Sequence, residues 1–254
     1  TRRHAAVVGL LGVPHLVLAV NKMDLVGYSE ETFTLIAKEF DAYVHGLGYA
    51  PEAVRVIPIS ALHGDNVVDR SDRMPWYTGP TLLEHLEAVP VEPEPHDMPL
   101  RFPVQYVIRP RTAEYPDYRG YAGRVAAGTV RPGDEVVVLP SGLRTTVARI
   151  DTPDGELAEA QAGQSVTLLL ADDLDIARGD LIAAAAAAPT VTDEFDATLA
   201  WLGDRPVRAG ARVLVKHGTR VTPAMVTGLS ARLDEQSLTI VPDPESLSLN
   251  EIGR

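Results

Sequence analysis

The stretch LVLAVNKMDL, residues 16–25, passes from five aliphatic residues to an Asn-Lys-Met-Asp turn. A short aliphatic run bounded by turn residues is typical of a parallel strand buried on both faces, so we expect such a strand over Leu16–Val20. Polar residues that follow it lie at its carboxyl end, where parallel α/β sheets bind ligands. The stretch therefore predicts an α/β domain with Asn21, Lys22 and Asp24 in a binding site.

The neighbouring segments complete a strand–helix–strand unit. Helical spacing covers residues 2–11, and a second helix opens at Ser29, a typical N-cap followed by two acids. We expect this helix to bury one apolar face, comprising Phe33, Ile36, Ala37, Phe40 and Val44. A second strand is predicted over residues 54–59 and a closing helix over residues 81–88, with Trp76 and Tyr77 locking that helix or a domain interface. The order predicts parallel strands joined by a crossover helix, as in a doubly wound sheet.

A second polar loop, Ser60-Ala61-Leu62, follows the second strand. The 36 residues from Asp24 to Ser60 leave room for one crossover helix, so both loops are expected at one rim of the sheet. Asn-Lys-x-Asp alone is a common turn sequence, and Ser-Ala-Leu alone carries little information. Together, one crossover apart, they predict a shared ligand site.

The chemistry of these residue types fits a guanine base. Guanine N1–H and N2–H₂ are adjacent donors that the Asp24 carboxylate can accept together, whereas adenine presents an acceptor at N1. The Lys22 stem can cover one face of the base, and the Asn21 amide can bridge the loops. The backbone N–H of Ala61 can donate to guanine O6, which favours small residues there. We therefore predict guanine binding by Asn21, Lys22, Asp24, Ser60, Ala61 and Leu62.

The remainder of the chain predicts β structure. Short strands are expected over residues 102–108, 121–127, 135–139, 143–150 and 165–170, separated by turn signals, which favours a small closed barrel. The alanine run 183–188 ends the last strand or connects onward. The predicted organisation is a partial α/β domain (1–89), a Pro- and Glu-rich linker (90–98), a barrel (99–188) and an incomplete second barrel (189–254).

Composition narrows the function classes. The net charge is −12, which disfavours broad electrostatic binding to nucleic acid, although six arginines close in sequence leave a local basic patch open as an alternative to scattered surface charge: Arg101, Arg109, Arg111, Arg119, Arg124 and Arg131. No apolar run is long enough to span a membrane, and the absence of cysteine fits a cytoplasmic protein. The seven histidines form no metal-ligand pair on one helix face, so no metal site is predicted.

The motifs NKMDL, ISALHGDNV and MPWYTGPTLLEHLE, in that order, resemble the second half of a translation-factor-type GTPase domain. The segments LRFPVQYVIRP and YRGYAGRVAAGTVRPGDEVVVLPSG, with DDLDIARGDLI and LSLNEIG, resemble the GTP-binding large subunit of bacterial ATP sulfurylase (sulfate adenylyltransferase). The alternative is an elongation factor that delivers aminoacyl-tRNA, although such factors carry a different glycine-rich sequence at RGYAG.

The resemblance implies a GTPase subunit that couples GTP hydrolysis to formation of adenosine 5′-phosphosulfate and pyrophosphate from ATP and sulfate. It implies a smaller catalytic partner subunit, with GTP and Mg²⁺ as ligands of the intact protein. The sequence contains no G-x-x-x-x-G-K-[ST] loop and no Asp-x-x-Gly-His motif, so its phosphate and Mg²⁺ ligands are missing and no catalytic residue is assigned. We expect a chain truncated at both ends and inactive by itself, without tight GTP binding.

Overall fold

The computed structural model describes residues 2–90, 96–110, 112, 117–234 and 237–254. The chain divides into two compact units. The first contains Thr1–Glu92, Asp196–Ala211 and Thr227–Arg254, and the second contains Pro93–Phe195 and Arg212–Val226. The domain limits predicted from sequence stay predictions, and residues 91–95 of the predicted linker lie outside the described residues.

The amino-terminal part of the first unit is the predicted α/β unit. Its elements are helix α1 (Arg2–Leu10), strand β1 (Leu16–Val20), helix α2 (Glu30–Gly46), strand β2 (Val54–Pro58) and helix α3 (Leu82–Ala88). β1 and β2 pair in parallel, from Leu16 opposite Val54 to Val20 opposite Pro58, which confirms the crossover prediction. The rim formed by their carboxyl ends carries both polar loops.

Burial of β1 differs from the prediction. Only Val20 of this strand is buried, and Ala19 is exposed. The expectation of a strand covered on both faces is therefore wrong, because among the described residues β1 has β2 as its one neighbouring strand.

Both later helices begin at side-chain caps, of which the Ser29 cap was predicted from the sequence. The Ser29 hydroxyl accepts a hydrogen bond from the Thr32 N–H at 3.2 Å. Thr81 and Glu84 form a reciprocal capping box at the start of α3. The buried face of α2 differs from the predicted one at two positions. Ile36 was expected to be buried and is exposed, whereas Tyr43 was not expected and is buried together with Val44. Trp76 and Tyr77 pack against Phe33 of α2, with ring centroids 5.3 and 6.1 Å away.

The second unit contains the barrel. Its strands in chain order are β3 (Arg101–Ile108), β4 (Gly120–Arg124), β5 (Thr129–Val130), β6 (Glu135–Leu139), β7 (Leu143–Thr152), β8 (Gly155–Glu156), β9 (Ala160–Gln161), β10 (Ser165–Leu170) and β11 (Leu181–Ala184). A seven-stranded sheet runs in the order β10-β4-β3-β11-β6-β7-β8, and additional β10–β7 pairing closes it. Six strands form the ring, with β8 outside it, and this confirms the predicted barrel.

The barrel strand β11 was not predicted from sequence. It pairs with both β3 and β6 and includes the first two residues of the alanine run. The rest of that run continues as a 3₁₀ turn, Ala185–Ala187. Inside the ring, fully buried side chains from opposite strands form one core, which includes Phe102, Val104, Tyr121, Ile150, Leu168 and Ile182.

The carboxyl-terminal segment contains short strands divided between the units. They are β12 (Leu199–Ala200), β13 (Arg212–His217), β14 (Arg220–Met225), β15 (Ala231–Leu233), β16 (Ile240–Pro242) and β17 (Ile252–Gly253). β13 and β14 form an antiparallel hairpin in the second unit. The other four make a sheet in the first unit, in the order β12-β17-β15-β16.

Candidate functional site

The Asn-Lys-Met-Asp loop leaves the rim of β1 through a tight, anchored turn. Lys22 adopts a left-handed conformation (φ 66°, ψ 34°), and Met23–Val26 form a 3₁₀ turn. The Met23 side chain is buried against Val20 and Met74, and its N–H donates to the Ile59 carbonyl at 3.2 Å. Because Met23 is held inward, Asn21 and Lys22 remain exposed and Asp24 is half-buried at the surface.

The second loop is joined to the first by side-chain hydrogen bonds. The buried Ser60 hydroxyl donates to Asp24 Oδ1 at 2.7 Å. Asn21 Oδ1 accepts from the backbone N–H groups of Lys22, at 2.7 Å, and Ala61, at 3.0 Å. The structure therefore brings Asn21, Asp24, Ser60 and Ala61 together, and the Asn21 amide bridges the two loops as expected from the sequence.

The Asp24 carboxylate retains capacity to bind a donor. Its Oδ1 accepts one hydrogen bond, from the Ser60 hydroxyl, and its Oδ2 accepts none from the described residues. An ionised carboxylate offers about four lone-pair sites, so both oxygens can accept from the edge of a ligand. The Asp24 carboxylate is therefore suited to bind a ligand edge that carries two adjacent N–H donors.

The Ala61 N–H is used differently from the expectation. It donates to Asn21 Oδ1, so a guanine O6 would have to share this donor. The reason is that the Asn21 side chain lies next to the start of the second loop, with its Oδ1 3.0 Å from the Ala61 nitrogen. The adjacent Leu62, whose side chain is 81% exposed, presents apolar surface and a further backbone N–H on the same loop.

A polar network that the sequence analysis missed supports the second loop. Asp65 accepts hydrogen bonds from the Ser71 hydroxyl at 2.7 Å and the Tyr28 hydroxyl at 3.0 Å, and it pairs with Arg73 at 3.4 Å. Burial raises the pKa of Asp65, but these hydrogen bonds and the charge of Arg73 outweigh it, so the pKa lies below its usual value. Asp65 is therefore held as a carboxylate.

Several arginines of the patch considered from sequence have partners in the described part of the chain. Arg119 pairs with Asp173 and Asp175, and Arg131 pairs with Glu159 at 2.6 Å. Arg101 donates to backbone carbonyls. Arg111 lies outside the described residues. Acidic partners thus offset the charges of Arg119 and Arg131.

The described residues contain no metal-ligand cluster and no helix suited to cross a membrane. No three acidic or histidine side chains there are grouped as metal ligands. No helix in the described ranges has both the length and the apolar character needed to cross a bilayer.

Comparison with known families assigns all three parts of the chain. Residues 1–93 match the elongation factor Tu GTP binding domain, residues 121–183 match elongation factor Tu domain 2, and residues 194–254 match the GTP-eEF1A C-terminal domain-like family. Two solved structures of sup35 have a fold similar to that of this chain. The complex with GDP aligns at a TM-score of 0.56 and 26% identity, covering 99% of this chain and 62% of that one. The complex with GMPPNP, at 24% identity and a TM-score of 0.50, supports the fold alone.

Curated relatives are more similar in sequence and match along the whole chain. The bifunctional enzyme CysN/CysC of Mycobacterium tuberculosis is 51% identical over 255 residues, covering 100% of this chain and 41% of the relative. The bifunctional enzyme NodQ of Rhizobium sp. (strain N33) is 45% identical, with 38% of its length covered. Sulfate adenylyltransferase subunit 1 of Shewanella oneidensis is 44% identical, with 52% of its length covered. The chain spans about half of these relatives or less, and along its whole length it is similar to sulfate adenylyltransferase subunit 1 and to the CysN/CysC and NodQ enzymes.

Proposed function

We propose that two loops of this chain read the guanine base of a nucleotide, through Asn21, Lys22, Asp24, Ser60, Ala61 and Leu62. The observation that carries this proposal is the 2.7 Å hydrogen bond from Ser60 to Asp24, which joins loops from the carboxyl ends of two parallel strands. Ligands bind at this rim in parallel α/β sheets.

Each group has a distinct task in this proposal. The Asp24 carboxylate accepts from guanine N1–H and N2–H₂, and adenine is disfavoured because its N1 lone pair would face the carboxylate. The Lys22 stem and the exposed Leu62 side chain supply apolar surface for the faces of the base. Guanine O6 accepts from the N–H of Ala61, shared with Asn21, or from that of Leu62.

We further propose that the intact protein is the GTP-binding subunit of sulfate adenylyltransferase. The support is 44–51% identity along the whole chain to subunit 1 and to CysN/CysC. In this role it couples GTP hydrolysis to the conversion of ATP and sulfate to adenosine 5′-phosphosulfate and pyrophosphate. The name subunit 1 supports the presence of a second subunit, and we propose that this partner is smaller and carries out adenylyl transfer.

The described residues fit only the base of GTP. The sequence has no glycine-rich Lys-Ser/Thr loop for the phosphates, and the described residues offer no cluster of three metal-ligating side chains for Mg²⁺. On the described residues we therefore propose contacts to the base of GTP alone and no catalytic residue.

The test uses the full-length protein that contains this chain, purified with its partner subunit. Sulfate-dependent conversion of ATP is measured with and without GTP, for the wild type and for Asp24→Ala. We expect GTP to stimulate turnover in the wild type and to lose its effect in the variant. Absence of sulfate-dependent turnover would contradict the sulfurylase assignment and favour delivery of aminoacyl-tRNA, which filter binding would detect.

A further inference from the structure

Asp65 connects the two base-reading loops at a second point, separate from the Ser60–Asp24 contact. Its backbone is bridged to Ser60, whose N–H donates to the Asp65 carbonyl at 3.2 Å. Its side chain accepts the Tyr28 hydroxyl at 3.0 Å. Tyr28 in turn lies four residues after Asp24, and its N–H donates to the Met23 carbonyl at 2.8 Å.

Tyr28 is held from several directions. It has a left-handed backbone (φ 58°), an uncommon conformation for a bulky residue that its surroundings must maintain. The Arg73 guanidinium donates to its hydroxyl at 2.7 Å and lies 5.5 Å from the ring centroid. The indole N–H of Trp76 donates to its backbone carbonyl at 3.0 Å.

The segment from Ser71 to Trp76 therefore contacts both loops without belonging to either. Ser71 and Arg73 bind Asp65 on one side, while Arg73 and Trp76 bind Tyr28 on the other. The buried Asn66 side chain reinforces this arrangement, since it donates to the Pro58 carbonyl at 3.0 Å and accepts from the Ser71 N–H at 2.9 Å.

We propose that Asp65, Tyr28 and Arg73 are positioning residues that set the selectivity of the site for guanine over related purines. This inference rests on the guanine-binding function proposed above. A bidentate contact requires the Asp24 carboxylate to keep both its position and its angle, whereas a single hydrogen bond tolerates rotation. The three residues fix the loop that carries Asp24 relative to the loop that carries Ser60 and Ala61.

The effect can be measured by comparing GDP with IDP. Hypoxanthine keeps the N1–H donor of guanine and lacks the 2-amino group, so the ratio of the two affinities reports the second hydrogen bond to Asp24. Tyr28→Phe removes only the hydroxyl that links Asp65 and Arg73. Tyr49→Phe is the control for removal of a tyrosine hydroxyl, because the Tyr49 hydroxyl donates to the Val13 carbonyl at 2.8 Å, away from both loops.

Binding of fluorescent GDP and IDP is measured on the full-length protein, with thermal unfolding as a measure of stability. We expect Tyr28→Phe to weaken GDP binding about threefold to tenfold, IDP binding less, and thus to lower the GDP/IDP preference. Tyr49→Phe should leave the preference unchanged. Asp65→Asn, which keeps the side-chain shape, should act in the same direction as Tyr28→Phe.

Three results would overturn the inference or its basis. If Tyr28→Phe weakens GDP and IDP equally, its role is structural and not selective. If it changes neither affinity, the network does not position the site. Asp24→Ala separates these outcomes from failure of the proposed function, because unchanged GDP affinity in that variant would refute guanine reading itself.

Discussion

The Ser60 hydroxyl lies 2.7 Å from Asp24 Oδ1, and Ser60 is completely buried while Asp24 is half-buried. Hydrogen bonds to charged groups are stronger than those between neutral groups, and this one spans two loops 36 residues apart. It fixes the orientation of the carboxylate to which we assign base recognition.

Replacing Ser60 with alanine should therefore weaken guanine nucleotide binding. Loss of a hydrogen bond to a charged group costs about 1.5–3 kcal/mol of stability, so if all of it came from orienting Asp24 the affinity would fall by at most roughly 10–150-fold. Isothermal titration of the full-length protein with GDP measures the effect. Ser141→Ala, which loses a 3.1 Å hydrogen bond to the Val138 carbonyl in the barrel, is the control and should bind GDP normally. Equal affinities in both variants would speak against a role for Ser60.

Gly123→Ala should destabilise the barrel. A Cβ at this buried strand position would lie 2.6 Å from the Pro103 carbonyl oxygen and 2.9 Å from the Phe102 ring, so the backbone would have to move. Overpacking of this kind costs about 1–3 kcal/mol. This close approach also explains the second glycine of the RGYAG run.

Thermal unfolding followed by circular dichroism tests this expectation. Gly228→Ala is the matched control, because no heavy atom lies within 4 Å of the Cβ it would add. We expect a lower melting temperature for Gly123→Ala and no loss for the control. A melting temperature of Gly123→Ala equal to that of the wild type would show that the barrel accommodates the methyl group.

Tyr118 should titrate at unusually high pH. Burial, the hydrogen bond to Asp151 at 2.9 Å and the charge of Asp151 raise the pKa of Tyr118 from 10.0 to about 12. The folded pKa exceeds the unfolded one, so the stabilisation is fully present below pH 10 and is lost as the pH rises to about 12. The difference in phenolate absorbance between the wild type and Tyr118→Phe should have its midpoint near 12.

Asp151→Asn provides the check on the cause. Removing the negative charge of Asp151 should lower the titration midpoint of Tyr118, because electrostatic repulsion from that charge no longer opposes formation of the phenolate. A midpoint near 10 in the wild type, or no movement in Asp151→Asn, would contradict the assigned cause.

Local signals in the sequence were sufficient for the elements that build the site. Leu16–Val20 was predicted with its observed limits, Ser29 caps the helix expected after it, and the helix predicted over residues 81–88 is observed over Leu82–Ala88. Strand β11 was missed because alanine residues lack the β-branched pattern of a strand, and pairing with β3 and β6 determines its conformation.

The network around Asp65 could not be predicted from local patterns. Tyr28 and Asp65 are 37 residues apart, and Tyr28 and Arg73 are 45 apart, so only the tertiary fold brings them into contact. The positive φ of Tyr28 has no sequence signal of the kind that glycine or asparagine would provide. Similarly, the exposure of β1 depends on its neighbours and not on its own composition.

The most direct test of guanine reading by Asp24 is a change of base preference. In Asp24→Asn an amide replaces the carboxylate, so the residue presents one donor and one acceptor, which complements the N1–H and 2-oxo groups of xanthine. Affinities for GDP and XDP are measured on the full-length protein and on this variant. We predict that the wild type prefers GDP and that Asp24→Asn prefers XDP. An unchanged preference for GDP in Asp24→Asn would contradict the assignment of Asp24 to the base.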